Sequence, residues 1–284
     1  MKTATGTVVT NVVIRTLRED PVQATEDVIA HAIAVVGKDG AQITPGKVGH
    51  TTTIFFPDAS PESTSFDGMV RRDATESFST LRGGNGTSND TATDPQTFAN
   101  IIDDPDNVHF SEIRRGNFVF NTASLADTDV VSSATLSLRG TAKKDNLSIT
   151  PDLDIVQAVT ASNSAGTNTD YQNMLATVFG SVTYSGYSTS GYNDIVLNAS
   201  GIANVSVTSV SKFGARTSND VTNTAPAVVG GGTETETAFT ANMAEASATS
   251  TDPMLTIVSA PPAAGGHPRS YIMFHLSPFI PNHS

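Results

Sequence analysis

Hydrophobic and polar positions alternate with period two along two neighbouring stretches near the middle of the chain. Gly116-Asn117-Phe118-Val119-Phe120 puts Phe118 and Phe120 on one face. Ala134-Thr135-Leu136-Ser137-Leu138 does the same with Leu136 and Leu138. Period two is the spacing of an extended strand, and one packed face against one wet face marks an antiparallel sheet. Residues 114–140 therefore read as two strands flanking a tight Asn-Thr-Ala-Ser-Leu link.

Similar short runs recur on either side. Residues 51–56 read as a strand closed by Pro57 and Pro61, and 66–72, 76–82, 153–161 and 180–184 as further strands. Residues 193–198, 212–217, 235–241 and 254–259 complete the set. Residues 83–94 are a long polar loop, 98–102 (FANII) suggest a helical turn, and 199–205 a short helix capping one end. Many short strands at a spacing of roughly ten residues, with turn chemistry between them, predict an all-β fold. The expectation is a jelly-roll-like antiparallel β-sandwich over residues 51–259.

The two ends differ in kind. Residues 1–50 read as a strand-like arm. The β-branched run at 7–17 contains Val12, Val13 and Ile14, and the apolar run at 28–36 contains Ile29, Ile33 and Val35. Gly37-Lys38-Asp39-Gly40 after the second run is a hairpin-turn signature, which favours strands there. Residues 260–284 place Tyr271, Ile272, Phe274, Leu276, Phe279 and Ile280 among prolines. Such a tail is too apolar for disorder and too broken for a helix, so it is expected to dock on a surface.

Composition narrows the function. Charged residues make up 15% of the 284, and the formal net charge is -12. An acidic chain with few clustered cations disfavours nucleic acid and anionic lipid as partners. The pairs Arg71-Arg72, Arg114-Arg115 and Lys143-Lys144 read as solvated turns or strand ends. There is no cysteine. No run reaches the length of a membrane span, and no signal peptide is visible at the start. That combination suggests folding in a cytoplasm and a final place in a virion or outside the cell.

Residues 114–140 also carry a family resemblance. Arg115-x-x-Phe118-x-Phe120-Asn121-Thr122-Ala123-Ser124-Leu125, followed by Ser133-Ala134-Thr135-Leu136-Ser137-Leu138, resembles the DNRLRE-type β-sandwich of phage structural and bacterial surface proteins. Residues 57–68, 179–184, 193–202, 213–216 and 252–255 extend the likeness across about 51–259. The resemblance implies a sandwich in a structural or adhesive protein and brings no catalytic residues with it.

The candidate sites are few. Tyr184, Tyr187 and Tyr192 could stack on sugar faces, as exposed aromatics do. Asp103, Asp104 and Asp106 lie in an acidic loop of the kind that can hold Ca²⁺, although no EF-hand pattern is present. Six scattered histidines have no zinc-ligand spacing. No nucleophile elbow or phosphate-binding glycine loop occurs. The reading is a non-enzymatic structural protein with no required cofactor. It assembles with copies of itself through its terminal arms, within a virion or an extracellular fibre and in reach of other virion proteins or surface glycans. The alternatives are a secreted pilus-like subunit and a glycan-binding adhesin module.

Overall fold

The computed structural model describes residues 31–37, 40–46, 49–106, 108–229, 232–245 and 250–262. The chain divides into two compact units, one spanning His50–Pro261 and one that holds the first two strands. In the latter, β1 (His31–Gly37) and β2 (Gly40–Gly46) form an antiparallel hairpin with Gly37 opposite Gly40. Ile33 and Val35 fall on β1 opposite Thr44 and Gln42. Val12, Val13, Ile14, Ile29 and the tail residues Tyr271, Ile272, Phe274, Leu276, Phe279 and Ile280 lie outside the described residues.

The larger unit is all-β: one curled, antiparallel sheet of twelve strands. It comprises β3 (Thr51–Phe55), β4 (Asp67–Glu76), β5 (Ser88–Asp90), β6 (Gln96–Asp103), β7 (Phe110–Asn121) and β8 (Val130–Asp145). The remainder are β9 (Leu153–Ala158), β10 (Met174–Val182), β11 (Tyr192–Val196), β12 (Val210–Thr217), β13 (Glu236–Ala241) and β14 (Met254–Ala260). The main strand order is β10-β9-β12-β7-β6-β13-β8-β14-β3, with β11 on β8 and the β4–β5 pair on β7. This topology carries the antiparallel all-β reading; it does not by itself carry the jelly-roll one.

Curling gives the sheet two cores. Phe118, Phe120, Leu136, Leu138, Phe213, Phe239, Leu255 and Ile257 belong to the first. Edge-to-face contacts such as Phe98 on Phe118, with ring centroids 5.6 Å apart, add about 0.5–1.5 kcal/mol each beyond burial. The second core holds Val70, Ile101, Ile113, Val156 and Tyr171, together with Phe78 and Leu81 from α1 (Phe78–Gly83) and Val221 from α3 (Ser218–Thr222). Between these helices in the sequence lie a 3-10 turn (Asn168–Tyr171) and α2 (Ala199–Ala203).

Several expectations change here. β7 is not wet on one side, because Phe118, Val119 and Phe120 are all fully buried: a central strand of a curled sheet has core on both faces. Residues 98–102 are strand β6, not a helical turn. Phe98, Ala99, Asn100 and Ile101 are all buried and Ile102 is half-buried, so their apolar run carries no periodicity. Residues 76–82 contain α1 rather than a strand. Ser77 caps that helix by accepting a hydrogen bond from the Thr80 amide, while Phe78 and Leu81, three apart, fill the core. The polar loop at 83–94 contains the short strand β5. The expected cap at 199–205 is present as α2, with Asn198 as its N-cap.

Candidate functional site

The outer face of the β3–β14–β8–β11 sheet carries exposed aliphatic side chains in a defined register. Ile54, Thr256, Thr135 and Val196 align in one row across the four strands. Thr52, Val258 and Ser133 form the next row on one side, and Met254, Ser137 and Asp194 the row on the other. Ile54 is 50% exposed and Val196 69%. The opposite face, with Phe55, Leu255, Leu136 and Ile195, is core. The outer face is therefore aliphatic and hydroxyl-rich, with Asp194 its one charge in these rows.

β3 ends this sheet. Among the described residues it pairs only with β14, so its other edge presents unpaired backbone groups. Sheet edges are normally blunted by Lys, Pro, a bulge or a covering element. Thr51-Thr52-Thr53-Ile54-Phe55 carries no charge and no proline before Pro57.

A second arrangement lies under the helical side of the sheet, where Asp220 is fully buried. Arg115 from β7 places Nε and Nη2 each 2.7 Å from its two carboxylate oxygens, and Arg216 from β12 does the same at 2.8 Å. Arg82 from α1 donates to the Asp220 carbonyl. Arg115 also stacks on the Tyr171 ring, 3.8 Å from its centroid, and the Tyr171 hydroxyl donates to the Leu81 carbonyl at 3.1 Å. Burial alone would raise the Asp220 carboxyl; the two guanidinium forks outweigh it and hold that carboxyl well below the usual range.

A third cluster is its electrostatic opposite. Asp67 at the start of β4 is buried and accepts the Ala244 amide at 3.0 Å through Oδ2, while its Oδ1 has no partner among the described residues. Glu62 Oε1 and Asp252 Oδ1 are likewise buried and without a partner among the described residues. Gly68 has φ +139, and a Cβ there would meet the Asp90 carbonyl at 2.4 Å, so glycine lets the Asp90 loop close over this corner. Burial first, then Glu245, Asp252 and Glu62, push the Asp67 carboxyl well above its ordinary value. Burial with Glu62, Asp90 and Asp94 raises Glu245 to about 7, and burial with Asp94 raises Asp252 to about 6.

The tyrosines do not form a sugar platform. Tyr187 is buried against Phe239, ring centroids 4.9 Å apart, and donates to the Thr240 carbonyl at 2.8 Å. Tyr184 packs edge-on to the same Phe239, and Tyr192 donates to the Asp252 carbonyl. The acidic loop is also already used. Asp103 is buried and accepts from Thr235 and from the Val229 amide; Asp104 accepts from Thr75 and Asp106; Asp106 accepts from Val108 and His109. The three carboxylates turn loops, and among the described residues no group of three metal-ligating side chains converges.

Arg71-Arg72 and Arg114-Arg115 are not solvated ends, whereas Lys143-Lys144 does lie at the end of β8 with Lys144 exposed. Arg71 and Arg114 both pair with Glu112, Arg72 forks onto Glu76, and Arg115 binds Asp220. Lys143 donates to the Tyr184 and Tyr187 carbonyls, and Lys144 pairs with Glu236. Adjacent strand residues point to opposite faces, so one dibasic pair serves two environments. Within the Arg115–Asp220–Arg216 centre only the four-residue spacing of Arg216 and Asp220 is local; Arg115 joins from β7 with no sequence signal.

No protein-family model matches the chain, and no curated protein sequence matches it. Among the described residues no helix is long and apolar enough to cross a membrane.

Proposed function

We propose that this is a non-enzymatic structural subunit that assembles with further copies of itself by strand addition at β3. The observation that carries the reading is the edge of β3, unpaired among the described residues, next to an outer face of Ile54, Val196, Thr135 and Thr256 with little charge. A strand laid along that edge gains backbone hydrogen bonds, and its alternate side chains can pack beside Ile54. The N-terminal segment of another copy, with its β-branched run at 7–17, is the donor in this reading. A head-to-tail exchange of this kind is heterologous, so it builds rings or filaments. The resemblance to DNRLRE-type sandwiches points to a virion component as the setting. A secreted pilus-like filament would use the same exchange.

The test compares the full chain, residues 45–284 and an Ile54→Lys variant by sedimentation and negative-stain imaging. The full chain is expected to form rings or filaments. The truncated chain should remain folded and monomeric, and Ile54→Lys should weaken assembly, because the charge falls on an exposed face rather than in the core. Identical assembly states for all three would sink the reading.

A further inference from the structure

We infer that the pocket lined by Arg82, Arg115 and Arg216 is a binding site for a doubly charged oxyanion, a sulfate or phosphate group. The cavity has a volume of about 190 Å³ and is completed by Gly83, Gln172 and Met174. Its residues come from α1, β7, the end of the 3-10 turn, β10 and β12, and none of them belongs to the β3 edge. The inference is thus independent of the assembly reading.

Charge is the first part of the argument. Three guanidiniums surround the pocket, and Asp220 is the one carboxylate that pairs with them among the described residues. Nearby acids are engaged elsewhere. Glu76 holds Arg72, and Asp170 accepts the Ala161 and Thr167 amides. Asp154, the register partner of Arg216, accepts from Ser181 at 2.6 Å and makes no ion pair with Arg216. Three cations against one anion leave two positive charges in excess, within a protein whose net charge is -12. Arg115 and Arg216 are almost wholly buried and Arg82 stands at the rim, and a positive excess held in such a place is stabilised by a matching counter-charge.

Hydrogen bonding is the second part. Arg115 and Arg216 are almost wholly buried and spend their N–H groups on Asp220 and on the carbonyls of Tyr171, Arg82 and Met174. They form a fixed positive wall. Arg82 is different: its side chain is 24% exposed, Nε and Nη2 reach the Asp220 and Val221 carbonyls, and Nη1 has no partner among the described residues. The pocket therefore offers one open guanidinium edge in front of two buried cations. A tetrahedral oxyanion accepts from such an edge, and its double charge cancels the excess.

The experiment titrates the full chain with sodium sulfate, inorganic phosphate, sodium acetate and dextran sulfate, each against sodium chloride at equal ionic strength. Calorimetry and thermal unfolding are the readouts. Sulfate and phosphate should bind and raise the melting temperature beyond the chloride control, with acetate weaker. Arg82→Met should weaken sulfate binding at least about tenfold, since a hydrogen bond to a charged group is lost with one of the two excess charges. Its secondary structure by circular dichroism should be unchanged, because Asp220 keeps both forks. Arg82→Gln, which keeps a polar side chain without the charge, repeats the test should the methionine variant not fold. Binding of dextran sulfate that Arg82→Met abolishes would identify the group as carried on a polymer; binding of free sulfate alone would identify a free ion. Equal sulfate responses of the wild type and both variants, or a sulfate response no larger than that to chloride, would overturn the inference.

Discussion

Asp220 and Asp67 are both buried aspartates in the same unit, one on α3 and one on β4, and their surroundings are inverted. Asp220 meets two guanidinium forks and stays charged; Asp67 meets Glu62, Glu245 and Asp252 and is pushed toward its neutral form. Burial disfavours the charge in both places, so burial does not decide the outcome. The sign of the neighbours does. The protein thus carries a locally cationic centre under its helices and a locally anionic corner beside the start of β4. A net charge alone describes neither.

The largest break in this comparison is removal of the Asp220 charge. Asp220→Asn leaves Arg115 and Arg216 buried without their counter-ion and is expected to destabilise the unit by about 3–5 kcal/mol in urea unfolding. The pH behaviour follows from the sign of the shift. A carboxyl depressed by folding contributes stability that is complete above its unfolded value, about 3.9, and is lost as pH falls through its lower folded value. This centre should therefore survive mild acid. An unchanged urea midpoint for Asp220→Asn would mean the forks contribute nothing net.

The anionic corner predicts the opposite slope. Asp67, Glu245 and Asp252 hold protons more tightly in the fold than in the unfolded chain. Their favourable contribution is complete below about pH 4 and is lost as pH rises through about 6, for Asp252, and about 7, for Glu245. Asp67→Asn should raise stability at pH 8 by roughly 1 kcal/mol, and should flatten the fall between pH 5.5 and 8, because it removes a charge and an orphaned carboxylate oxygen. Paired urea titrations at the two pH values measure this. A variant with the wild-type slope would show that Asp67 is not the source.

These two clusters also show what the sequence could and could not disclose. The strands around Phe118 and Leu136 were legible because apolar alternation is a local signal. The α2 cap was legible from a different local signal, the three-residue spacing of Ile202 and Val205, which pack against the first core. Residues 98–102 misled because β6 is buried on both faces and loses its period. The strand expected at 76–82 overlooked a helix start at Ser77 that was written in the chain, with Phe78 and Leu81 behind it. Tyr187 looked available for stacking, yet only the fold shows it against Phe239. Arg115, Arg216 and Asp220 were invisible as a set, because ion pairing between residues 105 apart has no periodic signature. The β3 edge, unpaired among the described residues, depends on sheet order, which a single sequence leaves open.

The smallest test separates burial from repulsion at the anionic corner. Glu62 contributes to raising both Asp67 and Glu245, and its own Oε1 is buried without a partner among the described residues. Glu62→Gln keeps the shape and removes one charge. The Glu245 carboxyl, followed by carbon-detected NMR titration, should then protonate at a lower pH than its present value of about 7. Stability at pH 8 should rise by only about 0.5 kcal/mol, the scale of one partly screened like-charge contact. If the Glu245 midpoint does not move, burial alone sets it, and the neighbour rule drawn from Asp220 and Asp67 fails at the rim of the cluster. If it moves while stability does not, the repulsion is real but is relieved equally in the unfolded chain.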